Sequence, residues 1–163
     1  MSRIQQAVLL LVIATSCVGC DQVSKVYFKE RCQRLGPRSY LFDTIRLEYA
    51  ENTGAFLSLG ANLQAWVFVA IGVVLVVGML IYLFRLSKRE LISTAIVALL
   101  VGGAIGNLID RSLFGFVRDF ANLGIGPVRT GIFNVADVAI TSGVVVLFWL
   151  GMRRDDPVAK EEK

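Results

Sequence analysis

Histidine is absent from all 163 residues. A hydroxyl or thiol nucleophile such as Ser112 or Ser142 thus has no imidazole base to activate it. Any proton chemistry must run on carboxylates, thiols, hydroxyls or amines, and aspartates are the first suspects. Cysteine is scarce: Cys17, Cys20 and Cys32 are too few for a paired framework. Cys17-Val18-Gly19-Cys20 has CxxC spacing, but with neither histidine nor a second pair it makes a poor zinc site. Small, buried residues of an apolar helix is the better reading. Charge is missing over long stretches: none from Ala7 to Cys20, Ala65 to Phe84 or Leu91 to Ile109, and one, Asp137, between Val135 and Met152. There is no internal repeat, no low-complexity segment and no basic–aromatic stripe of the kind that binds nucleic acid; only the tail from about 155 to 163 reads as disordered.

What is present is apolar. Hydrophobic residues make up 55% of the chain and the mean hydropathy is +0.65, above the roughly 45–50% of soluble domains. A helix needs about 20 apolar residues to cross the hydrocarbon core. The runs predict spans over about 4–22, 65–84, 91–109 and 135–152 in one membrane domain, 1–163. The first run is short, with Val23, Val26, Tyr27 and Phe28 as an amphipathic extension. Arg3, the Arg85-Lys88-Arg89 loop and Arg153-Arg154 place both termini on the cytoplasmic side. The connections at about 23–64 and 110–134 then face outwards. Ile45-Arg46-Leu47-Glu48-Tyr49 alternates strictly and Tyr40 to Phe42 is its candidate partner, so a small extracytoplasmic sheet is expected, closed by the Asn52-Thr53-Gly54 turn. Gly102-x-x-x-Gly106, with Gly103, reads as a close helix-packing face.

The ionisable groups are few and patterned. An acid within an apolar span costs roughly 2.5–3.5 kcal/mol on insertion scales, so Asp137 demands a role. Asn134 lies three residues before it, and residues three or four apart share a helix face. Asn107, Asp110 and Arg111 share another, as do Asp21 and Lys25. In the predicted topology these groups, with Asp119 in the second outer connection, meet at one membrane face. The plainer readings are a helix end at headgroup level for Asp110–Arg111 and a surface ion pair for Asp21–Lys25. Two carboxyls at close range share a proton, and such a pair activates water.

With these residues assembled, the chain resembles the bacterial lipoprotein signal peptidases, the type II enzymes. Five blocks carry the resemblance: Asp21-Gln22-x-x-Lys25, Asn52-Thr53-Gly54-Ala55-Phe56, Gly106-Asn107-Leu108-Ile109-Asp110-Arg111, Val117-Arg118-Asp119-Phe120 and Phe133-Asn134-Val135-Ala136-Asp137. The resemblance implies an all-α membrane fold of four transmembrane helices with a small extracytoplasmic β-cradle and a short amphipathic helix. It implies an inner-membrane aspartyl endopeptidase that needs no cofactor and cuts prolipoprotein signal peptides before a diacylglyceryl-cysteine, among membrane lipids, with globomycin as inhibitor. On the family's pattern Asp119 and Asp137 are the catalytic dyad. Asp21, Lys25, Asn52, Gly54, Asn107, Arg111 and Asn134 line the substrate site, and Asp110 is structural. Two positions depart from the pattern: Val138 follows Asp137, where small or hydroxylated residues are common, and Arg118 precedes Asp119. The guanidinium of Arg118 is expected to point towards headgroups, away from the dyad. Asn107 and Asn134 are expected to hold the two acids.

Two rival readings differ in what they require, the first in the depth of the acids and the second in the N-terminal mass of the purified protein. A transport protein would place acids near the midplane of several helices. A chain that is itself a lipoprotein would use Leu9 to Cys20 as a signal peptide with a degenerate lipobox at Cys17–Cys20.

Overall fold

A computed structural model describes residues 1–54, 63–85 and 90–154. Ala55, Phe56, Lys88, Arg89 and the tail from Asp155 to Lys163, all named above, lie outside the described residues. Four helices form the body: α1 (Arg3–Leu35), α2 (Ala65–Arg85), α3 (Leu91–Phe114) and α4 (Val135–Arg154). All four are long and apolar enough to span a bilayer, and the protein is membrane-embedded. The short amphipathic helix of the family pattern is not among the described elements.

α3 is the central helix. Half of its apolar window is buried, against 6% for α2, whose surface is left to lipid. Its glycines explain the position. A Cβ on Gly102 would meet Ala14 and Cys17 of α1, and one on Gly103 would lie 2.6 Å from the Ala136 carbonyl of α4. Small residues thus let three helix backbones close on one another, where the lipid itself supplies no hydrophobic drive. The cytoplasm-predicted half of the bundle packs Leu10, Leu83, Val97, Ala98 and Val101 together.

α1 runs further than the sequence suggested. It opens on a Ser2–Gln5 capping box and continues as helix to Leu35, about 50 Å at 1.5 Å per residue. The charged stretch after Asp21 stays helical because tertiary contacts cover it, so residues 23–35 are not loop. Beyond α1 lies one antiparallel sheet in the order β1 (Arg38–Tyr40), β2 (Ile45–Asn52), β3 (Val117–Ile125), β4 (Val128–Arg129). β1 ends at Tyr40, and the expected partner residues Leu41 and Phe42 form the turn instead. The Asn52–Gly54 turn is present: Gly54 N donates to Asn52 Oδ1 at 3.0 Å.

β3 is the larger correction, because Asp119 lies on a strand and not in a loop. α3 stops at Gly115, whose φ of +82° is a left-handed cap that glycine adopts without a Cβ clash. The chain reverses there and enters β3. Leu47 pairs with Ala121 and Ala50 with Asp119, so β2 spends one extra residue between them. This bulge lies beside Asp119, where such irregularities re-aim a strand.

Candidate active site

The site forms where the sheet meets the ends of α1, α3 and α4. Asn134 is the N-cap of α4, and Asp137 is its third residue. Asp137 N donates to Asn134 Oδ1 at 2.9 Å, and Asn134 N donates to Asp137 Oδ2 at 3.1 Å. This is a reciprocal capping box, which satisfies two orphan amides of the helix start and fixes the Asp137 carboxylate. The Asn134 side-chain amide then reaches across, donating to Asp119 Oδ1 at 2.6 Å and Asn107 Oδ1 at 3.2 Å. Asn107 donates to Asp137 Oδ1 at 2.9 Å, and Asn52 donates to Asp119 Oδ2 at 3.1 Å. Three amides therefore hold two acids, one more than sequence reasoning named. Asp119 is 1% exposed, whereas Asp137 is half-buried.

Asp119 is brought to this point by a backbone clasp. Phe133 O accepts from the amides of Phe120 (3.1 Å) and Ala121 (2.9 Å), and Phe133 N donates to Ala121 O at 2.8 Å. The strand bearing Asp119 is thus stitched to the residue that precedes the α4 cap. The Phe120 ring stacks on Phe28 of α1, centroids 4.5 Å apart. Burial, and next the charge of Asp137, push the Asp119 carboxyl up to about 6, against the opposing amide donors.

Beneath the acids lies a buried charge cluster. Lys25 and Asp21 are fully buried, 2.7 Å apart, with Asp110 3.4 Å from the same ammonium. Lys25 Nζ also donates to Asn107 Oδ1 at 3.0 Å, which orients that amide towards Asp137. Asp21 Oδ1 accepts from Ala136 N at 2.9 Å, so an acid of α1 caps α4. Asp21–Lys25 is therefore no surface pair, and Asp110 is no headgroup-level terminus.

Arg118 corrects an expectation. Its guanidinium does not face headgroups; it is buried and forks onto Asp110, with Nη2–Oδ1 at 2.7 Å and Nε–Oδ2 at 3.1 Å. Its backbone amide donates to Asp110 Oδ2 at 2.9 Å. Eight residues separate the pair, and the Gly115 reversal brings them together, which no helical spacing rule reports. Gln22, beside Asp21 in the first block, joins the same cluster. Its amide donates to Asp21, Asp110 and the Gly106 carbonyl, and its oxygen accepts from Arg118 at 2.8 Å.

Arg111 leaves the cluster for the other side. Its Nη2 donates to Gly54 O at 2.6 Å, and its guanidinium covers the Phe68 ring of α2 at 5.2 Å. Its Nε is buried without a partner among the described residues. Asp21, Lys25, Asn52, Gly54, Asn107, Asp110, Arg111, Asp119, Asn134 and Asp137 are thus one connected constellation at the sheet end of the bundle. Asp21, Asp110 and Asp137, from three different helices, gather at one end of the bundle beside the sheet. Among the described residues no group of three or more His, Cys, Asp or Glu is arranged to hold a metal.

The signal peptidase (SPase) II family profile matches residues 13–153. The chain belongs to the signal peptidase II family. Relatives include the lipoprotein signal peptidase of Hydrogenovibrio crunogenus, 34% identical over 93% of this chain and 91% of that one. The lipoprotein signal peptidase of Moorella thermoacetica is 38% identical over 85% and 89%. Among solved structures, two bacterial membrane enzymes superpose with TM-scores of 0.78 and 0.76. They are 24% and 27% identical, covering 90% of this chain and 89% and 93% of theirs. Family membership makes the protein a peptidase, and the four-helix fold with its small antiparallel sheet is shared with those enzymes.

Proposed function

We propose that the protein is an aspartyl endopeptidase of the bacterial inner membrane that removes signal peptides from diacylglyceryl-modified prolipoproteins, cutting before the lipidated cysteine. The observation that carries this reading is Asn134, which donates its backbone amide to Asp137 and its side-chain amide to Asp119. One residue thereby sets two acids against each other at a helix start, beside a span that lipid surrounds.

The pair holds one proton between its two carboxyls, and its apparent pKa values belong to both. The ionised member takes a proton from water as that water attacks the scissile carbonyl, while the protonated member donates to the carbonyl oxygen. The tetrahedral intermediate collapses as the leaving amine takes a proton, and the C–N bond breaks. Asp137, the less buried of the two, is the member that meets water first. Asn52, Gly54, Asn107, Arg111 and Asn134 line the approach, and the unpartnered Arg111 Nε suits a substrate carbonyl. Asp21, Lys25 and Asp110 support that lining from below. Both termini face the cytoplasm, the acids face outwards, and globomycin competes with substrate here.

The test is cleavage of a prolipoprotein, with and without its diacylglyceryl group, by purified protein in lipid, beside Asp119→Asn and Asp137→Asn. Cleavage before the lipidated cysteine, lost in both folded variants and blocked by globomycin, is the expected result. Activity surviving either substitution refutes the dyad.

A further inference from the structure

The end of the sheet furthest from the acids has an unusual surface. Leu41, Phe42 and Asp43 all take left-handed backbone, with φ of 50°, 52° and 68°. Non-glycine residues rarely adopt it, and a run of three is costly unless neighbours enforce it. Here Asp43 enforces it. Its carboxylate accepts from Ser39 at 2.6 Å and from Arg46 at 2.7 Å, and its carbonyl accepts from Arg129 at 2.8 Å. The result is that Leu41 and Phe42 are thrust outwards, 67% and 106% exposed. The β3–β4 turn lies alongside, since Gly124 N donates to Thr44 O at 2.9 Å and Ile45 pairs with Leu123. That turn adds Ile125 and Val128, 80% and 78% exposed. Four large apolar side chains with almost no cover stand together on an extramembrane sheet.

Position and charge say what covers them. Exposed apolar residues on α1 run to Val23, Val26 and Tyr27, after which Lys29, Glu30, Arg31 and Arg34 follow and Leu35 alone is exposed again, so Tyr27 marks the upper edge of its lipid-facing surface. Tyr27 Oη is 3.4 Å from Arg31, and Arg31 in turn faces the Tyr40 side chain. The turn after Tyr40 therefore starts about one helical turn, roughly 6 Å, beyond that edge, within the headgroup layer. β2 also runs mostly across α1. Its Tyr49 meets Lys29, whereas Ile45 pairs with Tyr40 at Arg31. That is about 13 Å along the strand against about 3 Å along the helix. The sheet thus travels parallel to the bilayer surface. Around its tip stand the exposed Arg38 and the half-exposed Arg46, which pairs with Asp43 and lies near Glu48, while Arg129 is 11% exposed and held by Asp43 and Asn122. Three arginines against two acids leave the rim at +1.

We propose that the paired turns Leu41–Phe42 and Ile125–Val128 are a membrane anchor that dips into the outer boundary of the bilayer, its arginine rim resting on anionic phospholipid headgroups. The strained turn is a display device: it spends backbone strain to hold two apolar side chains clear of the sheet. Anchoring both ends of the sheet, one on the helix bundle and one in lipid, fixes its tilt over the acids. The inference stands on exposure and placement and does not depend on the peptidase reading.

The test places an environment-sensitive nitrobenzoxadiazole label at Phe42→Cys or Ile125→Cys, in a background with Cys17, Cys20 and Cys32 replaced. The protein is reconstituted into phosphatidylglycerol vesicles carrying shallow or deep doxyl lipids. Neither labelled side chain packs on anything, so folding is not at stake. The expected result at both sites is blue-shifted emission, stronger quenching by the shallow doxyl than the deep one, and iodide quenching reduced roughly twofold or more from that of the free dye. In phosphatidylcholine vesicles the lipid quenching weakens. Water-like emission with free-dye iodide quenching at either site overturns the anchor. So does shielding that doxyl lipids do not quench but that falls on dilution, which would mark a contact between copies. Equal lipid quenching in both vesicle types overturns the role of the arginines.

Discussion

Lys25→Met removes one ammonium and almost no volume from the buried cluster. Lys25 and Arg118 carry two positive charges there against Asp21 and Asp110, so the native sum is zero and the variant's is −1. The lost contacts are 2.7 Å to Asp21, 3.4 Å to Asp110 and 3.0 Å to Asn107 Oδ1. Removing one partner of a buried pair leaves the other uncompensated, which costs about 3–5 kcal/mol. In a chain of this length that lowers Tm on the order of 10 °C. Asp21→Asn in the Lys25→Met background restores neutrality and is expected to recover part of the loss. Thermal unfolding of the four proteins in one detergent, followed by intrinsic fluorescence, gives the cycle. If Lys25→Met unfolds within about 1 kcal/mol of wild type, as a surface pair would, the cluster is solvated and the reasoning fails. Asn107 should also lose its orientation, so peptidase activity is expected to drop more in Lys25→Met than stability alone explains.

Two further outcomes follow from the same geometry. Gly106→Ala would put a Cβ 2.6 Å from Asp21 Oδ2; the overpacking costs about 1–3 kcal/mol, whereas Gly78→Ala, which meets open space, leaves thermal stability unchanged or slightly raised. Asp119 is held near pH 6 in the fold, above the ordinary carboxyl. Between about pH 4 and 6 the folded protein keeps a proton that the unfolded chain has released. Stability therefore falls as pH rises through that window, by on the order of 3 kcal/mol, and levels off above it. Asp119→Asn should remove the Asp119 contribution to this slope in pH-dependent denaturation. Asp137→Asn should only reduce it, because burial is the larger cause of the shift; a slope untouched by Asp119→Asn would assign it elsewhere.

The spans were legible because uncharged runs of that length admit few alternatives, and Asn134–Asp137 because a cap and its third residue are near neighbours. β3 was not legible. Val117 to Phe120 are buried on both faces, so the strand shows no alternation, and its Arg-Asp pair reads as loop until partners are known. The role of Arg118 was hidden for the same reason: Asp110 satisfies it across a chain reversal. Gln22 was hidden by its plainness, since a lone amide on a helix says nothing until three acceptors surround it. The extension of α1 past Asp21 likewise depends on what packs there, Phe120 on Phe28 and Tyr49 on Lys29.

The clasp between Ala121 and Phe133 has a mechanical meaning. The clasp ties the strand bearing Asp119 directly to the residue before the Asn134 cap, so the spacing of the two acids is set across three backbone hydrogen bonds and not along residues 122–132 that join them in sequence. A joint at the root of the β3–β4 excursion holds the pair of acids, while its far turn is tied to the rest of the sheet through β2.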